Sequence, residues 1–137
     1  MRLSYHVLID SEYLNQIQDW QTACQEFGIH TDLSSLNEKH SVLKLNYQNL
    51  VIELTVYTSP ASDVTDICDD LKQYLDNTQN LAINFDINGE QKSIYIASIA
   101  ISILTGLMNG ILYIEGDGVI ITAEQALLNA KEIANAL

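Results

Sequence analysis

Between Lys92 and Glu115 the chain carries no charged residue, although it is strongly acidic elsewhere. Such a run belongs in a core or in a membrane. Its first half sets Ile94, Ala97, Ile101, Leu104 and Met108 at spacings of three and four, the period of a helix with one broad apolar face. The same residues also alternate, Ile99, Ile101 and Ile103 against Ser98, Ala100 and Ser102, so periodicity alone admits a strand. Length favours the helix, since strands rarely run past about ten residues. Asn109-Gly110 supplies a position that tolerates positive φ where the helix should stop. Ile111 to Ile114 and Val119 to Ile121 then flank Glu115-Gly116-Asp117-Gly118, which reads as a hairpin. A membrane span is disfavoured, because Ser98, Ser102, Thr105 and Asn109 interrupt the run and no basic cluster flanks it.

The preceding chain alternates strand and helix signals. Leu3 to Ile9 reads as a strand ended by Asp10-Ser11, either of which can cap a helix. Tyr13, Ile17, Trp20, Cys24 and Phe27 follow at helical spacing, closed by Gly28. Residues 29 to 40 hold no sustained period and read as a connecting loop with one short helical turn at most. Val42 to Tyr47 and Leu50 to Tyr57 form a hairpin about Gln48-Asn49, with Leu50, Ile52, Leu54 and Val56 on its buried face. Ser59 and Pro60 are placed to cap and start a helix whose inner stripe is Val64, Ile67, Cys68, Leu71, Tyr74 and Leu75. Leu81, Ile83, Phe85 and Ile87 alternate with Ala82, Asn84 and Asp86, a half-buried strand turned at Asn88-Gly89. Thr122-Ala123-Glu124-Gln125 matches a capping box, and Ala126, Ala130, Ile133 and Leu137 line the last helix. The order β-α-β-β-α-β-α-β-β-α predicts one α+β domain over residues 1–137, a mostly antiparallel sheet packed with helices.

A chain of 137 residues, 47% apolar, can bury a real core. Eighteen Asp and Glu against six Lys and Arg leave a net charge of −12, which repels phosphate backbones and anionic lipid heads and suits a basic protein partner. Cys24 and Cys68 make no metal-spaced pair, and both sit in apolar stripes. MRLSYHVLID lacks a signal peptide's basic and apolar regions, so a cytoplasmic chain is expected. His6, His30 and His40 form no H-x-x-x-H pair, and Asp63, Asp66, Asp69 and Asp70 lack the spacing of a calcium loop. Glu115 to Gly118 lacks the Lys of a phosphate loop. No catalytic residue, cofactor or metal is expected from these patterns.

The segment from about residue 80 carries a helix ending in Leu104-Thr105-Gly106, then Asn109-Gly110-Ile111-Leu112-Tyr113, a turn, Val119 to Thr122, and Ala123 to Leu127. It resembles small bacterial immunity proteins, which neutralise the toxins of contact-dependent growth inhibition and polymorphic toxin systems. In this chain Asn109-Gly110 stands at the family's glycine pair and Thr122 opens the last helix, while Glu115 lies one place after the expected acid. The resemblance implies an inhibitor, not an enzyme, whose partner is a cognate basic toxin domain such as a nuclease, blocked at its active cleft. Charge then selects the docking residues: Asp63, Asp66, Asp69, Asp70 and Asp76 on the second long helix, with Glu115 and Asp117 on the hairpin turn. The alternatives are a small ligand-binding or enzymatic α+β domain with an apolar pocket, and a subunit of a larger assembly.

Overall fold

The computed structural model describes residues 2–32 and 40–137, the side chain of His40 excepted. Its strands are β1 (Arg2–Ile9), β2 (Ile29–Thr31), β3 (His40–Tyr47), β4 (Leu50–Pro60), β5 (Leu81–Asn88), β6 (Ile111–Glu115) and β7 (Val119–Thr122). They form one sheet in the order β2-β3-β4-β5-β1-β6-β7, antiparallel at every pairing. The helices are α1 (Ile17–Glu26), α2 (Ala61–Ile67), α3 (Gln91–Leu107) and α4 (Ala123–Ala136), with 3-10 helices at Ser11–Gln16 and Asp69–Tyr74. The chain is therefore an α+β protein built on a seven-stranded antiparallel sheet.

Strand alternation sorts the side chains between two unequal cores. On one face Tyr5, Val7 and Ile9 of β1, Ile83, Phe85 and Ile87 of β5, and Ile52, Leu54 and Val56 of β4 pack with α1, α3 and α4. On the other, Leu8, Ala82, Ile111 and Tyr113 meet Ala61, Val64 and Leu71 from α2 and the 3-10 helix that follows it. β5 is consequently not half-buried: Ala82 and Asn84 are covered as fully as Ile83 and Phe85.

The first part of the uncharged run is a helix, but not an amphipathic one. Ile96, Ile99 and Ile103 lie about half a turn away from Ile94, Ile101 and Leu104 at 100° per residue, and all six are buried. The sheet, α1 and α4 together enclose α3. A helix apolar all round is one buried all round. It ends as the sequence predicts. Asn109 takes φ 50, its N–H reaches Gly106 O at 3.4 Å and that of Gly110 reaches Thr105 O at 2.9 Å, the pairing of a Schellman motif. Gly110 is required for a different reason: a Cβ there would lie 2.9 Å from Leu8 O of β1.

Other expectations are corrected. The segment read as a loop begins with β2, an edge strand paired to β3 through Ile29 and Tyr47; three residues are too few to show a period, and residues 33–39 lie outside the described residues. The second long helix is broken at Cys68, which is extended at φ −131 and ψ 98. Asp63, Asp66, Asp69 and Asp70 stand three and four apart, and like charges at those spacings oppose a continuous helix. The break leaves Ile67 57% exposed and Tyr74 43% exposed, outside the stripe assigned to them, with Cys68 half-buried. Ser59 and Pro60 belong to β4, and the Ser59 hydroxyl accepts from Asn84 across the sheet and caps no helix. Thr122 does cap α4, in a capping box with Gln125, although Leu137 is exposed.

Candidate functional site

Beyond α2, the described helices leave the second face of the sheet uncovered over β3 and β4. Val42 is 51% and Val51 61% exposed there, beside exposed Lys44, Glu53 and Thr55. Because β4 pairs with β5 and β5 with β1, the same face continues through Asp86 and Ser4. Ser4 Oγ donates to Asp86 Oδ1 at 2.7 Å, and Arg2 stands 3.9 Å from the other carboxylate oxygen.

A buried polar row closes this face at its centre. His6 on β1 is 4% exposed and lies between Asn84 on β5 and the β6 end, its ring stacked on Tyr113 with centroids 5.8 Å apart. Asn84 Nδ2 donates to Tyr57 O at 3.2 Å and to Ser59 Oγ at 3.0 Å. Its carbonyl oxygen therefore faces His6 Nδ1, 2.5 Å away, and Nδ1 carries the hydrogen. His6 Nε2 stands 3.3 Å from Glu115 Oε2. Burial, followed by the negative charges of Asp86 and Glu115, pushes the Tyr57 phenol up against the pull of Arg2. Burial, with Cys68 and Glu115, does the same to Tyr113.

The acidic residues expected to dock a partner separate into groups. Asp63 and Asp66 on α2, with Asp69 and Asp70 on the 3-10 helix, are all exposed. They stand over the same side of the sheet as Glu115, since Tyr113 links the hairpin to Cys68. Asp69 takes Lys72 at 2.8 Å, a bond that pushes the exposed lysine up. Asp76 serves its own bend. Thr78 Oγ1 and N donate to its carboxylate at 2.6 and 3.2 Å and hold it below the usual carboxylate range. Asp117 belongs to the opposite side, lining a cleft beneath α3 and α4. Glu53 and Asp86 join the acidic side instead; charge runs missed them because each is isolated in its strand. His30 is exposed on β2. Cys24 is fully buried on α1, which pushes its thiol from an ordinary 9.0 up to about 12.

Among the described residues no group of three or more His, Cys, Asp and Glu side chains is placed to hold a metal ion, and no helix is long and apolar enough to cross a membrane. The chain matches no protein-family model, no curated protein and no solved structure.

Proposed function

We propose that this protein is an inhibitor of the immunity type, which docks a basic toxin domain on the α2 side of its sheet and blocks the cleft. One observation carries the reading: Asp63, Asp66, Asp69 and Asp70 stand exposed over the same side of the sheet as Glu53, Asp86 and Glu115. Among the described residues, Arg2, Lys44 and Lys72 are the cations on that side, and Lys72 is already paired with Asp69. Exposed Val42 and Val51 add apolar contact next to the acids, the mixture that stable protein interfaces use. A nuclease cleft is positive because it must hold phosphates, so complementary charge accelerates its association with such a surface.

The test pairs this chain with the product of its neighbouring gene. Co-expression should give a complex that co-elutes and protects growth. Reversing Asp66, Asp69 and Asp70 to Lys should preserve the fold while slowing association at least tenfold at low salt, with the difference shrinking as salt rises. Unchanged association in that variant removes α2 and the 3-10 helix after it from the interface, and absence of both complex and protection refutes the function.

A further inference from the structure

The helix side of the sheet, opposite the acidic side, holds a cleft of about 290 Å³ between β1, β6, α3 and α4. Its walls are Leu3, Ile94, Leu112, Ile114 and Ile133. Polar groups are confined to its floor and mouth. On the floor the Tyr5 and Ser98 hydroxyls are bonded at 2.6 Å, and Ser102 Oγ accepts from Asn129 Nδ2 at 3.5 Å. At the mouth stand Asp117, from the β6–β7 turn, and Tyr95, whose hydroxyl accepts from Gln91. The volume is close to the small end of ligand sites, roughly 300 Å³ upward.

We propose that this cleft binds a small organic cation with an apolar body, of the arylalkyl-ammonium kind. The body fits the aliphatic walls. The head fits the mouth, where Asp117 is the one charged lining residue among the described residues and the half-exposed Tyr95 supplies aromatic surface of the sort that receives ammonium groups. Asn129 donates one amide hydrogen to Ser102, which turns its amide nitrogen to the floor and leaves its carbonyl oxygen as a further acceptor. The field of Asp117 reaches the floor: after burial, it is the charge that pushes the Tyr5 phenol up. An anion is opposed by this carboxylate and by the net charge of −12. The site is independent of the docking surface, because the sheet separates the two.

The experiment is an NMR titration of the isotope-labelled full chain with 2-phenylethylammonium, 2-phenylethanol and 3-phenylpropionate at equal concentrations. The expected result is saturable shifts confined to the cleft residues, strongest for the ammonium, weaker for the alcohol and weakest for the carboxylate. Asp117→Asn, a change on an exposed turn, should weaken the ammonium roughly three- to fivefold, the scale of a partly exposed ion pair, and leave the alcohol unchanged. Ile133→Trp should occlude the cleft and abolish binding of both; if it does not fold, the Asp117→Asn comparison decides alone. Nα-acetyl-lysine methylamide serves as a fourth probe. Tighter binding than the arylalkylamine assigns the cation to a protein side chain, weaker binding assigns it to a free amine, and either order supports the site. Equal affinity for the carboxylate, shifts scattered over the surface, or an unchanged ammonium affinity in Asp117→Asn overturns the proposal.

Discussion

Truncating α3 on its two opposite sides distinguishes a helix enclosed by protein from an amphipathic one. The stripe visible in the sequence runs through Ile94, Ile101 and Leu104, and an amphipathic helix would leave Ile96, Ile99 and Ile103 facing water. They are instead 0%, 1% and 2% exposed. Each Ile→Ala change removes a buried side chain and leaves a cavity, a loss of about 2–5 kcal/mol where the surroundings relax only partly. Against a total stability of order 5–15 kcal/mol, this lowers a urea midpoint by roughly 1–2 M at the slopes typical of small domains. Trp20 is the one tryptophan, fully buried, and donates to Ala100 O of α3 at 2.8 Å, so its fluorescence reports directly on this packing. Ile96→Ala, Ile99→Ala and Ile103→Ala should lose as much as Ile101→Ala. Ile→Val at the same positions, costing about 0.5–1.5 kcal/mol, covers any variant too unstable to measure. Losses below about 0.5 kcal/mol for the three off-stripe alanines would refute the enclosure of α3.

Two further outcomes follow from buried polar groups. Cys24 is raised from 9.0 to about 12 by burial, so its contribution to stability is complete below pH 9 and is lost as pH climbs towards 12, about 4 kcal/mol in all; urea curves at pH 7.5 and 11 should show a smaller alkaline loss in Cys24→Ala than in the parent, and equal losses would refute it. Asn84→Ala should cost about 2–3 kcal/mol, because it strands the buried His6 Nδ1–H without an acceptor, and a melting temperature within two degrees of the parent would show that the amide is dispensable.

What the sequence disclosed was mainly local. The caps at Gly28, Asn109 and Thr122 depend on a few neighbouring residues, and each stands where the pattern placed it. The hairpins about Gln48-Asn49 and Glu115–Gly118 were legible for the same reason. The α2 region was not. Its spacing satisfied a helix over both halves, yet repeated aspartates and the need to lay Leu71 on the sheet broke it at Cys68. Ser59-Pro60 carried a helix-start signal that lost to strand pairing, since β4 runs on beside β5 as far as Pro60 and Leu81. Local chemistry allowed both outcomes, and the tertiary partner chose.

The polar row shows most clearly why the rest could not be read. Ser4 and His6 look unremarkable in β1, as do Asn84 and Asp86 in β5, and Glu115 ends β6 far along the chain. Only the register, Ser4 opposite both Asp86 and Glu115 and His6 opposite both Asn84 and Tyr113, brings them to one place. That placement bears on the docking proposed above. Glu115 is the one acid among those expected on the turn that is held from behind, by a histidine which is itself held by Asn84. A carboxylate fixed in this way loses less side-chain freedom when a partner arrives than the exposed Asp63 and Asp66 of α2, so more of its interaction survives as affinity. The α2 aspartates, exposed and unburdened by buried contacts, are suited to the long-range attraction that sets the encounter rate. Charge reversal on α2 should therefore act on association, and removal of the Glu115 carboxylate on dissociation.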